Sequence, residues 1–503
     1  MYVIVSPRSE DLAAHLLRAK LFSVEGFGIW NNWWYGGHNV PGYSVLFPPL
    51  AALLTPQVVG ALATVPTAAM FESLAYRRFG EDSWLGALWF GAATGTSLFS
   101  GRLTFAFGLM TAVGTALALQ RRRPGSAAAL AALTALASPV DAIFAALAGV
   151  AQALTAYLET RRVRPALPGI GVIVAAALPV LALAIAFPEG GTEPFAFSAF
   201  WPLVLISVAL ALLTPRRDLV LRVGAVLYGV GCVLSFAIAS PVGSNVTRLG
   251  PLLVGPLVAL LWWPRRRLAL VAVALPLLYL QWQAPVRDVR TADENREVTR
   301  AYFQPLLSYL RRQPGPPFRI EIPFTLSHLE AYEVAPQFPL ARGWERQLDL
   351  KYNALFYDGK LTAARYEAWL HDLAVRYVAV PDAMLDYSAQ AEAALINRGL
   401  PYLHLVERTT HWRIYAVQDA TPMVDAPATL RALGPNWLQI EASEPGTSLI
   451  RVRWSPYWAV TQGSGCVSPA GGFTRLQIRR SGPLRVAIRF SLTRIGASSP
   501  RCS

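Results

Sequence analysis

The fold is decided by residues 103–164, LTFAFGLMTAVGTALALQRRRPGSAAALAALTALASPVDAIFAALAGVAQALTAYLETRRVR. Three apolar runs follow one another here, and arginine clusters stand after the first and the third of them. Runs of about 20 apolar residues are long enough to cross the hydrocarbon core of a bilayer as helices. Arginine clusters between such runs are typical of cytoplasmic loops. The stretch therefore predicts a polytopic α-helical membrane protein.

The same pattern extends through residues 49–283, whereas residues 284–503 have the composition of water-soluble protein. Apolar stretches that are potential spans lie at 50–75, 84–101, 103–120, 125–139, 141–159, 168–187, 199–214, 219–239, 249–263 and 268–283. The N-terminal MYVIV resembles the end of a further span. We therefore expect about 10 or 11 spans, with residues 1–48 as the first external loop and a soluble C-terminal part.

The composition agrees with a membrane protein. Of the 503 residues, 54% are hydrophobic and only 15% are charged, and the mean hydropathy is +0.36. A soluble protein carries about a quarter charged residues. The net charge of +14 could suggest nucleic-acid binding, but much of the excess lies in short loops, where arginine sets membrane orientation. We therefore expect membrane lipids rather than nucleic acid as partners.

The arginine clusters predict the topology. They are Arg77–Arg78, Arg121–Arg123, Arg161–Arg164, Arg216–Arg217 and Arg265–Arg267, at alternate junctions of the series of spans. All five can therefore face the cytoplasm together. Residues 6–48, the junctions near 102, 140, 188–198 and 240–248, and everything after 284 then lie outside. This predicts a multi-pass protein of the plasma membrane with an extracytoplasmic C-terminal domain.

The C-terminal part divides in two. Residues 284–423 mix helical patterns at 298–310 and 361–376 with β-like runs at 318–322, 377–380 and 411–417, which predicts an α/β domain. Residues 424–503 alternate apolar and polar at 437–442, 448–454, 474–478 and 484–490. This spacing predicts an antiparallel β-sandwich of the carbohydrate-binding-module type. Cys466 and Cys502 could pair there in an oxidising compartment.

The external N-terminal segment contains the densest cluster of polar and aromatic residues. Ser9 is a plausible N-cap for a helix from Glu10 to about Phe22 that lies on the membrane surface. On such a helix Asp11, His15 and Arg18 share one face. This face is either simply solvated or directed at a ligand above the bundle.

The residues that follow favour the ligand. Residues 30–38, WNNWWYGGH, combine aromatic rings with amides and glycines. Interfacial aromatic residues are usually membrane anchors, but sugar sites use the same types, because rings stack on the C–H faces of a sugar and amides bind its hydroxyl groups. The candidate sugar-binding residues are Trp33, Trp34, Tyr35 and His38.

Further polar residues are predicted at the outer ends of the spans. They are Arg102, Asp141, Asn245 and Arg248. Ionisable residues in such positions are functional candidates, although a single arginine can also extend to lipid headgroups. Arg248 is the better candidate, because a guanidinium near the outer leaflet suits a lipid-linked phosphate. The usual signatures of nucleotide hydrolysis, zinc chemistry and serine hydrolysis are not found in the sequence.

This combination resembles the GT-C glycosyltransferases. An acidic residue opens the first external loop, a juxtamembrane helix follows, and W..WYGG…PGY…PP leads into the next span. The layout of residues 6–283 is most similar to the actinobacterial and archaeal branch of arabinofuranosyl- and mannosyltransferase-like proteins, which use polyprenyl-phosphate sugars. The soluble domain resembles that branch only loosely.

The resemblance implies an inverting transfer from a polyprenyl-phosphate sugar to a cell-envelope glycan, lipid or protein on the outer face. In that family an acidic residue of the first external loop is the general base, and the matching position is Asp11 or Glu10. We favour Asp11, because it is aligned with His15 and Arg18. Some members also use a divalent cation. Asp141 is the only further carboxylate in a suitable place, so we do not expect an obligatory metal.

Two functions therefore remain open. The first is this glycosyltransferase. The alternative is a non-catalytic scaffold or transport protein of cell-envelope glycan assembly, in which the outward domain is the working part. A secondary transporter is disfavoured, because neither a repeat nor a mid-span acidic residue is found, apart from Glu72 near a cytoplasmic end.

Overall fold

The computed structural model describes residues 2–5, 7–9, 11–294, 297 and 299–503. The chain forms two compact units. The first contains Met1–His15, Gly42–Ala184 and Gly190–Asp293, and the second contains Leu16–Pro41, Ile185–Glu189 and Glu294–Ser503.

The first unit is helical. In chain order the helices are α1 (Tyr2–Val5), α2 (Leu12–Glu25), α3 (Phe47–Leu54), α4 (Pro56–Phe79), α5 (Trp84–Phe99), α6 (Leu103–Gln120), α7 (Pro124–Ala137), α8 (Pro139–Thr160), α9 (Leu167–Ala186), α10 (Phe197–Leu213), α11 (Leu219–Ala237), α12 (Leu249–Trp262) and α13 (Arg267–Glu294). Only the first four residues of α2 belong to this unit. Each predicted apolar stretch coincides with one of α4 to α13. The first stretch is broken at Thr55, which has a positive φ of 76° and is followed by Pro56.

Seven helical segments of the described residues are long and apolar enough to cross a membrane. They are Pro56–Phe99, which contains both α4 and α5, and Leu103–Gln120, Pro139–Thr160, Arg164–Ala186, Leu219–Ala237, Gly243–Trp262 and Arg267–Ala292. The chain therefore has the character of a helical membrane protein. The count is below the predicted 10 or 11 because α4 and α5 fall in one segment, and because α7 and α10 have only 14 and 17 residues.

The arginine clusters lie at or next to every second connection between helices, and Arg77 and Arg78 form part of the last turn of α4. The other four clusters follow α6, α8, α10 and α12, as the sequence pattern predicts. Small residues allow the helices to approach closely. A Cβ atom on Gly149 of α8 would lie 2.8 Å from the carbonyl oxygen of Gly169 on α9, and an alanine-rich cluster from α6 to α9 packs around Ala131.

The second unit begins with the rest of α2, from Leu16, which is followed by the short hairpin β1 (Trp30–Asn31) and β2 (His38–Asn39). Its α/β part contains α14 (Arg300–Arg311), β3 (Arg319–Glu321), α15 (Glu330–Glu333), α16 (Arg346–Tyr352), α17 (Ala363–Asp372), β4 (Val375–Pro381), α18 (Tyr387–Asn397), β5 (Leu403–Arg408) and β6 (Trp412–Val417). The sheet order is β3-β4-β6-β5, with only β3 and β4 parallel. The predicted strands and helices of this part exist, with ends shifted by a few residues.

Residues 428–502 form two antiparallel four-stranded sheets. The strands are β7 (Ala428–Leu433), β8 (Trp437–Ala442), β9 (Gly446–Arg453), β10 (Trp458–Gln462), β11 (Gly465–Ala470), β12 (Phe473–Ile478), β13 (Gly482–Ile488) and β14 (Arg501–Cys502). The sheet orders are β10-β13-β8-β7 and β14-β11-β12-β9. Inward side chains alternate along the strands and meet in one core around Ile450 and Trp458. Cys466 and Cys502 face each other on β11 and β14 and form a disulfide.

Candidate functional site

Several polar residues of the first unit lie around the N-terminal end of α6. The Nε2–H of His15 donates to the carbonyl oxygen of Gly101 at 2.9 Å, and its Nδ1 accepts from the hydroxyl of Thr104 at 3.0 Å. Gly101 has a positive φ of 70°, and a Cβ there would lie 1.9 Å from the hydroxyl oxygen of Ser9. His15 is therefore buried and fixed against the connection between α5 and α6.

Asp141, near the start of α8, lies opposite Gly108, which is one turn after Thr104 on α6. Ser138 caps α8, and its hydroxyl accepts from the backbone N–H of Asp141 at 3.3 Å. The Asp141 side chain is fully buried, and neither carboxylate oxygen has a hydrogen-bond partner in the described part of the chain. A Cβ on Gly108 would lie 2.4 Å from Oδ2. The absence of a side chain at Gly108 thus makes the room for this carboxylate, which remains able to accept hydrogen bonds from a ligand.

Arg248 lies at the end of a short 3₁₀ segment, Gly243–Arg248, that leads into α12. Its guanidinium lies over the ring of Phe105 on α6, 5.6 Å from the centroid. Among the described residues Arg248 takes part in no ion pair, and Asp141 accepts no hydrogen bond from it. Arg248 is half-buried. Its donors therefore remain available for an anionic group at the predicted outer end of the bundle.

The segment that carries Arg248 is held by an acidic residue that sequence reasoning missed. Glu193 accepts from the hydroxyl of Ser244 at 3.0 Å, and its backbone N–H donates to the carbonyl oxygen of Ser240 at 3.0 Å. Gly243 fits closely here, because a Cβ would lie 1.9 Å from the carbonyl oxygen of Glu193. The amide of Asn245 donates at 3.4 Å to the carbonyl oxygen of Pro241. In this structure Asn245 stabilises its own turn.

An apolar cavity of about 480 Å³ lies within the helices of the first unit. Its lining includes Phe144, which follows Asp141 by one turn of α8, and Leu249, which follows Arg248 directly. Along α12 the lining extends from Leu249 to Leu261, a distance of about 18 Å at 1.5 Å per residue. Nearly all of the lining is hydrocarbon, and the polar lining residues are Arg78, Gln120, Gln152, Thr214 and Tyr228. The cavity is suited to an apolar chain.

The aromatic segment has a different role from the predicted one. Trp33, Trp34, Tyr35 and His38 are all at most 6% exposed. The indole N–H of Trp34 donates to the carbonyl oxygen of Ala331 at 2.9 Å, and the hydroxyl of Tyr35 donates to the carbonyl oxygen of Gly343. The expectation of a surface on which a sugar stacks is therefore corrected: these rings are core residues that anchor the segment to the α/β part of the second unit.

His38 is a neutral core residue. Its ring stacks on Trp34 at a centroid distance of 5.9 Å. Nδ1–H donates to the carbonyl oxygen of Asn39 at 3.0 Å, and Nε2 accepts from the amide of Asn31 at 3.0 Å. Burial, together with the positive charge of Arg18, lowers the pKa of His38 to about 3. It therefore stays uncharged at every physiological pH.

His15 and Arg18, predicted to share a face of α2 with Asp11, have different partners in the structure. His15 belongs to the first unit, whereas Arg18 belongs to the second, where it forms an ion pair with Glu345. Both Arg18 and Glu345 are at least nine-tenths buried. The start of α2 is covered on nearly all sides, so its polar side chains do not form a solvated face.

The remaining predicted residues are the two candidate bases, Asp11 and Glu10, and Arg102. Asp11 is half-exposed and immediately precedes α2, whereas Glu10 lies outside the described residues. Arg102 is half-buried and directly precedes α6. Asp11, Arg102, Asp141 and Arg248 all belong to the first unit. No group of three or more His, Cys, Asp or Glu side chains in the described part of the chain is arranged to hold a metal ion.

The sequence did not predict the roles of Gly108, which makes room for Asp141, and Thr104, which contacts His15. Thr104 and Gly108 are small residues spaced i, i+4 on an apolar helix, a pattern that commonly marks close helix packing. That pattern could have indicated a partner for α6. No protein-family model matches the chain, and no curated protein is significantly similar to it.

Proposed function

We propose that the protein is an inverting glycosyltransferase that moves a sugar from a polyprenyl-phosphate donor to a cell-envelope acceptor. One observation carries the proposal: an apolar cavity is lined by Phe144 and Leu249, which stand one helical turn after the buried carboxylate of Asp141 and directly after Arg248, whose guanidinium has no ion pair among the described residues. A lipid-linked phosphate sugar has the three matching parts, which are a hydrocarbon chain, an anion and a set of hydroxyl groups.

Each part of the donor would meet a chemically suited part of the first unit. The polyprenyl chain would occupy the cavity, and its burial would supply most of the binding free energy. The phosphate would accept hydrogen bonds from Arg248. The hydroxyl groups of the sugar would donate to Asp141, which satisfies a carboxylate whose burial without partners is unfavourable.

The reaction would be a single displacement. The acceptor hydroxyl oxygen forms a bond to the anomeric carbon as the bond from that carbon to the phosphate oxygen breaks. The hydroxyl proton passes to the carboxylate of Asp11, and the lipid phosphate leaves with the bonding electrons, stabilised by Arg248. His15 would act as a positioning residue that fixes the start of α2, because both of its ring nitrogens already have partners.

The donor is tested by binding. We expect full-length protein in lipid nanodiscs to bind a polyprenyl phosphate more tightly than the corresponding polyprenol, because only the phosphate can accept from Arg248. Arg248→Gln should weaken phosphate binding about tenfold or more and leave polyprenol binding unchanged. Arg123→Gln, in the exposed loop before α7, is the matched control and should change neither affinity. Equal affinities for the phosphate and the alcohol would refute the proposal.

The same preparations test the chemistry. With a polyprenyl-phosphate sugar and a cell-envelope extract as acceptor, Asp11→Asn should abolish transfer while donor binding stays intact, because only the proton acceptor is lost. Asp141→Asn should weaken binding of the sugar-bearing donor more than binding of the bare polyprenyl phosphate. Full transfer by Asp11→Asn would disprove its assignment as the base. If donor binding failed in every assay and deletion of 424–503 were the more damaging change in cells, the scaffold function would be favoured.

A further inference from the structure

The last part of the β-sandwich has an extreme charge distribution. Residues 445–503 contain nine arginines but no aspartate, glutamate, lysine or histidine. Acidic residues therefore cannot neutralise these arginines from within the same stretch. A cationic surface of this kind attracts anionic partners over about a Debye length.

Three of the arginines meet at one end of the sandwich. The guanidinium of Arg501 donates to the carbonyl oxygen of Arg489 at 2.9 Å and to that of Tyr457 at 3.3 Å. The guanidinium of Arg494 donates to the carbonyl oxygens of Pro456 at 3.1 Å and Ser499 at 2.7 Å. None of the three arginines forms an ion pair within the described part of the chain. Burial and the two neighbouring positive charges lower the pKa of Arg501.

Large apolar side chains are exposed beside these arginines. Phe490 is 49% exposed and Leu492 is 74% exposed, and both lie directly after β13. We call the surface formed by Arg489, Phe490, Leu492, Arg494 and Arg501 the aromatic-basic edge. Exposed apolar side chains beside cationic ones are typical of segments that bind in a membrane interface.

This edge is joined to the end of a potential membrane span. Phe187 directly follows Ala186, the last residue of the apolar segment Arg164–Ala186. Its ring lies 5.7 Å from that of Phe490 and 5.7 Å from that of Tyr457. The hydroxyl of Tyr457 donates to the carbonyl oxygen of Ala186 at 2.6 Å. If Arg164–Ala186 crosses the bilayer, the edge therefore lies where the hydrocarbon core ends.

We propose that the aromatic-basic edge is a lipid-binding surface, on which Phe490 and Leu492 insert into the bilayer interface and Arg489 binds anionic lipid headgroups. The bilayer is the occupant because the edge is continuous with a span end and combines apolar and cationic side chains. Arg494 and Arg501 hold the backbone of the edge and add to its positive field. This proposal is independent of the enzymatic function.

Insertion is tested in the full-length protein reconstituted into phosphatidylcholine vesicles that contain phosphatidylglycerol. Leu492→Cys would carry a nitroxide in a Cys232→Ala background, since Cys466 and Cys502 are disulfide-bonded. We expect this label to be more accessible to oxygen, which concentrates in the bilayer, than to a water-soluble nickel complex. Labels at Leu405, which is 47% exposed on β5, and at Glu444 in the β8–β9 turn should show the opposite preference. A label at 492 with the same preference as these controls would overturn the proposal.

Headgroup recognition is tested by a charge-matched pair of variants. One arginine near a membrane surface contributes about fivefold to binding of anionic lipid. We therefore expect Arg489→Gln to reduce about fivefold the equilibrium constant for insertion of the 492 label when phosphatidylglycerol is present, with little effect in phosphatidylcholine alone. Arg480→Gln, at the opposite end of β13, should retain the wild-type value. Equal losses in the two variants, or insertion that does not depend on phosphatidylglycerol, would contradict the assignment of Arg489.

Discussion

Gly108 shows how one missing side chain shapes the candidate site. The residue lies in the buried first half of α6, and the space that a Cβ would occupy is taken by the Asp141 carboxylate and by the Cβ of Ser138, at 2.4 and 2.7 Å. Both neighbours belong to the capped start of α8, which has little freedom to move. The position of the carboxylate therefore depends on a glycine in another helix.

We expect Gly108→Ala to destabilise the protein by about 1–3 kcal/mol, the usual result of overpacking. It should also weaken donor binding in the same direction as Asp141→Asn, because the carboxylate must move. Thermal unfolding in detergent and the nanodisc binding assay measure the two effects. Gly91→Ala in α5 is the control, since its Cβ would only reach ordinary contact with Ala68 at 3.7 Å. Wild-type donor binding by Gly108→Ala would show that Asp141 is not positioned by this contact.

At the scale of elements, α2 illustrates what an amphipathic pattern leaves undecided. The sequence predicts the helix and the alignment of its polar side chains, and a helix forms over Leu12–Glu25. The pattern does not say that the polar side chains would be buried against different partners. Those partners, Gly101 and Thr104 for His15 and Glu345 for Arg18, lie between 86 and 327 residues away in sequence.

The Arg18–Glu345 pair should be strongly coupled. Burial raises the pKa of the Glu345 carboxyl, whereas the positive charge of Arg18 and its hydrogen bond lower it. Removing one partner leaves the other charge buried and alone, so Arg18→Met or Glu345→Leu should destabilise the second unit by about 3–5 kcal/mol. The double variant should be clearly more stable than the sum of the single effects predicts. Thermal unfolding of the wild type, the two single variants and the double variant gives a double-mutant cycle. Additive effects of the two substitutions would show that the pair is not a stabilising contact.

At the scale of the whole molecule, the second unit carries a titratable group that links its stability to pH. Glu321 on β3 is fully buried, and neither carboxylate oxygen has a hydrogen-bond partner among the described residues. The nearby Glu392 is better satisfied, since it accepts from Arg342 at 3.3 Å and from the hydroxyl of Tyr366 at 2.7 Å. Burial and then the negative charge of Glu392 raise the pKa of Glu321 well above its ordinary value.

The sign of the pH dependence follows. The folded chain keeps the proton of Glu321, whereas the unfolded chain releases it above about pH 4.3. Folding stability from this group is therefore complete at acid pH and declines as pH rises, by at most about 1.4 kcal/mol per pH unit. We expect the melting temperature of Glu321→Gln, relative to wild type, to rise between pH 5 and pH 8. The exposed Glu444→Gln should show no such change, and a constant difference for Glu321→Gln would mean that Glu321 is ionised in the folded state.

The sequence by itself determined the elements and their class. Runs of apolar residues fixed α4 to α13, because burying backbone hydrogen-bonding groups in lipid requires helices of a certain length. Alternation fixed the sandwich strands β8, β9, β12 and β13, because one face of each strand must be apolar. Asp141 and Arg248 also became functional candidates from their residue types alone, since ionisable residues are rare in membrane-spanning helices and are commonly functional there.

Only the tertiary structure decided which residues meet. The tryptophans, Tyr35 and His38 of the N-terminal segment became core residues, because the α/β part supplies backbone acceptors and a glycine at position 343 that fit them. Asp141 packs against Gly108 and Arg248 lies over Phe105, both on α6, and the helices of the first unit enclose a cavity whose lining includes Phe144 and Leu249. Periodicity predicts on which face of its own helix or strand a side chain lies. It carries no information on a partner that is a hundred residues away, since that choice depends on how complete surfaces fit together.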